Sequence, residues 1–157
     1  MKQFNTINGN KITWLGHVSF LITINGINIL TDPLLENEIG PIIYPTKRYV
    51  DIPITLKDIV KKNKIDLILI THSHYDHLDL PSIKQIVKSN NNVKIITPLK
   101  NSRILKNIYQ NGNLNISELD WYQDLIFKDI KIKCLPAIHW SKRTPFDYNK
   151  SLWGSFY

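Results

Sequence analysis

Hydrophobic and polar positions alternate in short runs over the first fifth of the chain. Ile12 to Leu15, Phe20 to Ile24 and Ile27 to Thr31 each predict a strand. Asn25-Gly26 joins the last two runs, and this dipeptide favours a two-residue hairpin because both turn positions need a positive φ. The prolines and glycine spread over residues 33 to 53 predict a long irregular loop after that hairpin.

The middle of the chain changes between helical and strand patterns. Thr55 followed by Asp58 resembles a capping box and predicts a helix over Leu56 to Lys62. Leu67 to Thr71 is continuously apolar, which is typical of a strand covered on both faces. Pro81 then suits the first turn of a second helix, whose predicted apolar face holds Ile83, Ile86 and Val87.

The second half of the chain predicts a further helix among several strands. Val93 to Thr97 reads as a buried strand, and Pro98 is expected to open a helix carrying Leu99, Ile104, Leu105 and Ile108 at helical spacing. The following strands are predicted over Ile116 to Leu119, Leu125 to Phe127 and Ile130 to Leu135, with an apolar strand-like segment at 152–157. Alternating strands and helices of this kind indicate the α/β class.

Composition and charge limit the classes of protein to consider. The 157 residues, 43% of them hydrophobic, are enough for one domain with a core. The net charge of +7 is compatible with a nucleic-acid or phospholipid partner, but the lysines are scattered and predict no clear nucleic-acid surface.

We see no signal peptide and no transmembrane segment, so we expect a cytoplasmic protein. Cys134 stands alone and is expected to be a small buried residue.

The strongest chemical signal is the segment from Thr71 to Asp79, Thr-His-Ser-His-Tyr-Asp-His-Leu-Asp. It holds three of the five histidines of the chain. Histidine is the commonest metal ligand, and its neutral imidazole suits zinc and iron. Residues His72 and His74 are two apart, so in extended backbone they project to the same side and can share one metal. Asp76 and His77 follow where the loop turns, and they can reach a second metal about 3.5–4 Å from the first.

This motif, preceded by Ile29-Leu30-Thr31-Asp32-Pro33, resembles the metallo-β-lactamase superfamily. The segments Trp14-Leu15-Gly16-His17, Lys47-Arg48-Tyr49, 136–143 (Pro-Ala-Ile-His-Trp-Ser-Lys-Arg) and 152–155 (Leu-Trp-Gly-Ser) are similar to the branch that contains N-acyl-phosphatidylethanolamine-hydrolysing phospholipase D. The resemblance runs from about Ile12 to the last residue. It implies an αβ/βα sandwich, of which this chain supplies the N-terminal half.

The resemblance also implies the roles of individual residues. His72, His74 and His139 would bind the first metal, and Asp76 and His77 the second, with Asp76 the candidate catalytic carboxylate. Zinc is the expected ion, as one or two ions, with iron or manganese as alternatives. Asp32 would orient the histidine loop through hydrogen bonds. For Asp79, an orienting role and helix capping explain the residue equally well.

Four further residues are candidates for substrate binding. His17 lies near the active site in the resembling proteins, although a structural histidine is an equal alternative. Lys142 and Arg143 either meet a substrate phosphate or are solvated loop charges. Trp140 is the best candidate for the rim of the pocket.

The resembling proteins complete their site with a bridging aspartate and another histidine, which follow a segment like 152–157. We therefore expect residues 1–157 to form an incomplete domain that lacks its C-terminal half. One apolar face of the sheet would then stay uncovered. A C-terminal fragment or a second copy of the chain are the expected partners, and the second metal would lack ligands.

The leading hypothesis is a metal-dependent hydrolase, in particular a phosphodiesterase acting on N-acyl-phospholipids. One alternative is a non-catalytic, vestigial metal-binding half-domain. A nuclease of the same superfamily is the other alternative, given the net charge.

Overall fold

The computed structural model describes residues 3–7, 9–41, 44–108 and 114–157. The strands are β1 (Gln3–Ile7), β2 (Asn10–Gly16), β3 (Ser19–Ile24), β4 (Ile27–Thr31), β5 (Glu38–Ile39), β6 (Thr46–Lys47), β7 (Leu67–Leu69), β8 (Lys94–Pro98), β9 (Asn115–Leu119), β10 (Asp124–Phe127), β11 (Ile130–Leu135) and β12 (Ser155–Phe156). The helices are α1 (Leu56–Lys62), α2 (Leu80–Ser89) and α3 (Ser102–Leu105), and a 3₁₀ turn, Lys106–Ile108, continues α3.

Seven of these strands form one mixed sheet in the order β1-β2-β3-β4-β7-β8-β9. The strands from β1 to β4 pair antiparallel, whereas β4, β7, β8 and β9 pair parallel. The carboxyl ends of the parallel strands therefore meet at one edge of the sheet. In open α/β sheets that edge is where ligands bind.

The core has two parts, one on each face of this sheet. Residues of α1 and α2, such as Ile59, Ile83 and Ile86, pack on one face with Leu30 and Ile68. On the other face lies a second sheet of β10, β11 and β12. Its inward side chains pack against the large sheet; they include Ile132, Cys134, Leu125, Phe127 and Phe156.

The second sheet covers the apolar face of the large sheet that we expected to be uncovered. Within the described residues, Leu67, Leu69 and Ile96 on that face are buried. The runs of β10 and β11 were predicted individually. Their stacking on residues about 60 positions earlier is a long-range contact, which local pattern does not encode.

Most predicted elements are confirmed. Asn25 and Gly26 have φ values of 50° and 77°, as the predicted hairpin turn requires. Helix α1 spans the predicted residues, and the Thr55 hydroxyl accepts the backbone N–H of Asp58 at 3.2 Å while donating to its carboxylate at 2.7 Å. The predicted α/β class is confirmed as well.

Several boundaries differ from prediction. The prediction that a helix begins at Pro98 is wrong. Pro98 is the last residue of β8 and pairs with Leu119, and α3 begins only at Ser102. The strand predicted over Leu67 to Thr71 ends at Leu69. Strand β1 was not predicted, and the loop over 33–53 contains the short β5–β6 pair. Propensity does not determine these positions, because pairing with distant strands overrides it.

None of the helices among the described residues is both long and apolar enough to cross a bilayer. The cytoplasmic location stays a prediction.

The Cys134 thiol is buried within β11, as expected. Its burial, together with the charge of Asp120, raises the pKa of the thiol to about 11.

Because the thiolate is the reactive form of cysteine, the Cys134 thiol of the folded protein should resist an aromatic disulfide reagent at pH 8, and its reaction rate should rise as the pH approaches 11. Absorbance of the released chromophore measures this, and protein in guanidinium serves as the fully reactive control. Full modification of the folded chain at pH 8 within the time that the unfolded control needs would contradict this placement.

Candidate metal centre

The histidine-rich segment lies directly beyond β7, at the carboxyl edge of the parallel strands. The chain leaves the sheet at Ile70 and turns sharply, with the carbonyl of His74 accepting the N–H groups of His77 at 3.2 Å and Leu78 at 2.8 Å. Asp79 then begins α2 as its N-cap, accepting the N–H of Ser82 at 3.0 Å. A turn between a buried strand and a capped helix holds the intervening side chains in fixed positions.

Three imidazoles converge at this turn. The Nε2 of His72 lies 2.8 Å from the Nδ1 of His74 and 2.9 Å from the Nε2 of His139. The remaining pair, His139 Nε2 and His74 Nδ1, is 3.2 Å apart. The predicted first-metal residues are therefore together, although His139 comes from a loop 67 positions away from His72.

The hydrogen bonds around Thr71 assign the tautomer of His72. The Thr71 hydroxyl donates its one proton to Oδ2 of Asp32 at 2.7 Å. It must therefore accept at its 2.9 Å contact with Nδ1 of His72. With the proton on Nδ1, His72 directs the lone pair of Nε2 at the other two imidazoles.

The electrostatic environment keeps His72 and His74 neutral. Burial, reinforced by the neighbouring histidines, lowers the pKa of His72 to about 2. Burial and His139 also lower the pKa of His74 from its ordinary value. A neutral imidazole keeps the lone pair that a metal requires.

This donor set fits a zinc ion. Tetrahedral Zn–N bonds of about 2.0–2.1 Å place ligand nitrogens roughly 3.4 Å apart, slightly more than the 2.8–3.2 Å found among the three nitrogens. Two of the three side chains, His72 and His74, are held by the turn itself. Three nitrogen ligands leave a fourth position open, the pattern of catalytic zinc sites.

The Nε2 of His74 is buried and has no hydrogen-bond partner among the described residues. The ring of Trp140 packs edge to face against His74, with 4.3 Å between the ring centroids. Coordination of a metal through Nδ1 would leave Nε2 on this aromatic side. Trp140 thus lies beside the three histidines, and it is 40% exposed.

A second group of candidate ligands lies beside His72, where Asp76, His77 and His17 meet. Burial alone would raise the pKa of Asp76, but His77 and the hydrogen bond from His17 lower it below its usual range. For His77, burial is opposed by Asp32 and Asp76, and the net result raises its pKa. The predicted pair Asp76 and His77 is joined here by His17, which was predicted only near the substrate.

Asp32 connects the three-histidine cluster to the second group of residues through hydrogen bonds. Its Oδ1 accepts the Thr71 N–H at 2.7 Å, and its Oδ2 accepts both the Thr71 hydroxyl at 2.7 Å and Nδ1 of His77 at 2.9 Å. The residue is buried and has φ of 35°. One carboxylate thus orients His77 directly and His72 through Thr71.

Arg143 holds the histidine turn from another side. Its Nη1 donates to the carbonyls of Ser73 at 2.9 Å and Leu78 at 2.7 Å. The guanidinium also lies over the ring of Tyr75, 3.9 Å from its centroid. These contacts hold the turn in place, so the predicted phosphate-binding role would have to use the remaining guanidinium donors. Lys142 lies half-buried next to it in the chain.

The loop that carries His139 is held by its own polar network. The Ser141 N–H donates to the side chain of Asn149 at 3.1 Å, and the Ser141 hydroxyl donates to the carbonyl of Ser151. Trp153 donates its indole N–H to the carbonyl of Ala137 at 2.9 Å. Gly154 follows, and a Cβ there would lie 2.8 Å from the Leu135 carbonyl oxygen, so only glycine fits this approach.

A cavity of about 450 Å³ opens beside the clustered histidines. Its lining includes His72, His77 and His139 together with Ala137 and Ile138. Ile138 is fully exposed at its margin. The cavity therefore contacts residues of both candidate groups, and its margin is partly apolar.

Sequence reasoning missed some of the residues that build this site. Thr71 sets the tautomer of His72, Tyr75 supports Arg143, and Ser141 holds the His139 loop. Thr71 and Tyr75 stand inside the histidine motif, so their position was a usable signal. The contribution of Ser141 depends on contacts with Asn149 and Ser151 that no spacing reveals.

Fold and site together define an α/β protein with a candidate polyhistidine metal centre at the carboxyl edge of its sheet. The chain matches the beta-lactamase superfamily domain over residues 27–157, and it belongs to that family. The predicted resemblance to the metallo-β-lactamase superfamily is confirmed.

Similar proteins include two named phospholipases. The chain is 33% identical to N-acyl-phosphatidylethanolamine-hydrolyzing phospholipase D 1 of Caenorhabditis elegans, covering 98% of this chain and 44% of that protein. It is 35% identical to the mitochondrial N-acyl-phosphatidylethanolamine-hydrolyzing phospholipase D of Saccharomyces cerevisiae, covering 92% of this chain and 30% of that protein. The chain thus spans less than half the length of these relatives.

Among solved structures, the metallo hydrolase Igni18 of Ignicoccus hospitalis has a similar fold. Its TM-score is 0.69 at 23% identity, over 94% of this chain and 54% of that chain. This likeness supports the fold alone.

Proposed function

We propose that this chain carries the metal centre of a zinc-dependent hydrolase that cleaves phosphodiester bonds in N-acyl-phospholipids. The observation that carries the proposal is the convergence of three imidazole nitrogens within 3.2 Å of one another beside an open cavity. Zinc bound to such a set activates a water molecule near neutral pH and stabilises negative charge on a phosphoryl oxygen. The named activity of the two phospholipase relatives supports the choice of substrate.

The residues beside the candidate metal centre suit a phospholipid. Ile138 places apolar surface at the margin of the cavity, and the half-exposed ring of Trp140 lies against His74, so an acyl chain would contact both. Lys142, and the remaining donors of Arg143, would bind the phosphate, because cationic side chains recognise phosphate oxygens. The net charge of +7 would favour an anionic lipid surface.

The proposal is tested with the zinc-loaded chain and vesicles of N-acyl-phosphatidylethanolamine. Hydrolysis of the bond next to the N-acylethanolamine would release that amide and leave phosphatidate, both measurable by mass spectrometry. We expect both products in equal amounts, and no product from the His72→Ala variant. The variant Asp129→Ala, an exposed turn residue, is the matched control and should keep the activity.

Other outcomes would favour the alternatives. Stoichiometric zinc binding without product formation would contradict hydrolysis by this chain and favour a non-catalytic metal-binding protein. Cleavage of DNA or RNA, with N-acyl-phospholipid left intact, would favour a nuclease of the superfamily.

A further inference from the structure

The segment 151–154 lies across the carboxyl edge of the large sheet. The N–H of Leu152 donates to the carbonyl of Leu99, which directly follows β8, at 2.8 Å. The N–H of Gly154 donates to the carbonyl of Thr71, at the start of the histidine motif, at 3.1 Å. The segment is therefore bonded to the chain just beyond two neighbouring parallel strands, β7 and β8.

The same segment holds the loop that carries His139. The carbonyl of Ser151 accepts the Ser141 hydroxyl, and the indole N–H of Trp153 donates to the carbonyl of Ala137 at 2.9 Å. These two contacts fall on either side of His139 in the sequence. The segment thus links the third histidine of the cluster to the turn that carries the other two.

Two side chains from beyond the ends of β8 and β9 hold the segment in place. Asn101 is fully buried, and its Nδ2 donates to the carbonyls of Leu152 and Pro98, each at 2.9 Å. The indole N–H of Trp121 donates to the carbonyl of Trp153 at 2.6 Å. Both donors reach the segment from the large sheet, so they determine where its backbone lies on the sheet edge.

The side chain of Asn101 does not serve its usual local purpose. Asn101 is the N-cap residue of α3, a position where an asparagine side chain normally accepts a backbone N–H of the first helical turn. Here it makes no capping hydrogen bond, and the N–H of Ser102 donates to the Glu118 carboxylate instead, at 2.7 Å. The Oδ1 of Asn101 is buried and has no hydrogen-bond partner among the described residues. Because an unpaired buried acceptor is costly, the two bonds donated by Nδ2 are the reason for a polar residue at this position.

We propose that Asn101 is a positioning residue for the metal centre, and that Trp121 assists it. By holding the 151–154 segment on the sheet edge, the two side chains set the distance between His139 and the histidine turn. Residues that support metal ligands in this way change the affinity for the metal without supplying a donor atom. The inference rests on the proposed three-histidine centre, but the hydrogen bonds that carry it belong to the chain itself.

The first measurement is hydrogen exchange, followed by mass spectrometry, on the metal-free chain. Asn101→Leu keeps a similar shape and removes the amide donors, whereas Trp121→Phe keeps an aromatic ring and removes the indole N–H. In both variants the amides of 137–151 should exchange about 3–10-fold faster than in the wild type, as expected for the loss of one or two hydrogen bonds. The amides of α1, on the far side of the sheet edge, should keep the wild-type rate.

The second measurement is the affinity for Co²⁺ and the visible absorption spectrum of the bound ion. Both variants should bind Co²⁺ about 10-fold more weakly, at the lower end of the range for residues that support a ligand. Their absorption bands should shift, because the arrangement of the three nitrogens around the ion changes. Urea unfolding of the metal-free variants gives the loss of stability separately.

The matched control is Asn90→Leu, which makes the same change at the opposite edge of the sheet. The Nδ2 of Asn90 donates to the carbonyl of Ile65 at 2.6 Å, so this variant also loses a bond from a side-chain amide to the backbone. It should lose stability to urea and keep the wild-type exchange of 137–151, the wild-type Co²⁺ affinity and the wild-type spectrum. A purely structural role of Asn101 would give the same result as this control.

A wild-type value of either measurement in both Asn101→Leu and Trp121→Phe would overturn the proposal. An equal loss of Co²⁺ affinity in Asn90→Leu would also overturn it, since the effect would then follow general destabilisation. Trp121→Phe tests the proposal alone if Asn101→Leu does not fold. Both expected changes in a chain that hydrolyses no substrate would support the positioning role and contradict only the proposed hydrolysis. A wild-type chain that binds no Co²⁺ would contradict the metal centre itself, and the positioning role with it.

Discussion

Replacing His139 by alanine should weaken zinc binding more than about 100-fold and leave the stability of the metal-free chain almost unchanged. In the proposed zinc site, His139 is one of three nitrogen ligands from the described residues. Residues that merely orient a ligand are worth about 10–100-fold in affinity, so loss of a ligand should exceed that range. Because the residue is exposed, its truncation should change the free energy of unfolding by less than about 0.5 kcal/mol.

The measurement is a competition titration against a chromophoric zinc chelator, paired with urea unfolding of the metal-free protein. The matched control is Ile138→Ala, which shortens the neighbouring exposed side chain and should keep the wild-type affinity. Wild-type zinc affinity in His139→Ala would remove His139 from the ligand set. A large loss of stability without metal would show instead that its role is structural.

The second large effect is expected at Asp32, where replacement by alanine should destabilise the metal-free chain by roughly 3 kcal/mol or more. The substitution leaves the half-buried Thr71 N–H and hydroxyl without the Asp32 acceptor, and each unsatisfied group removed from water costs about 1–3 kcal/mol. It also removes the acceptor for His77 Nδ1. The left-handed φ of 35° adds strain for alanine.

Asp32→Asn separates charge from geometry. Asparagine tolerates the backbone conformation and keeps one acceptor oxygen, so we expect a smaller loss of stability than for alanine. Both variants should still weaken zinc binding by about 10–100-fold, since neither orients both histidines correctly. Urea midpoints and the chelator competition measure the two effects, with Asp129→Ala as an exposed aspartate control. If Asp32→Ala were as stable as the wild type, the network through Thr71 would not hold the turn.

The His139 experiment tests metal binding, whereas the Asp32 experiment tests mainly the stability of the fold. His139 contributes a lone pair and little to folding, whereas Asp32 contributes to folding and only indirectly to the metal. Their contrast follows from burial, because the same loss of a polar contact costs little in water and much in the interior. An effect of equal size on stability at both positions would contradict the structure.

Much of this protein follows from local pattern. The Asn25-Gly26 hairpin and helix α1 depend on residues that are neighbours in the chain, so turn chemistry and capping were sufficient to predict them. The histidine motif was equally visible, because His72, His74, Asp76 and His77 lie on one short turn. Placing His139 in the same centre relied on the family resemblance, since spacing alone says nothing about a residue so far along the chain.

Only the folded chain decided the remaining features. Pro98 ends a strand because β9 pairs with it, and the second sheet covers a face that we expected to be exposed. His17 meets Asp76 across 59 positions of sequence, and Arg143 reaches back to the carbonyls of the histidine turn. These contacts arise from strand pairing and sheet stacking between distant segments. A residue pattern specifies local conformation and the chemistry of its side chains, but the energy that brings distant side chains together comes from burial in three dimensions.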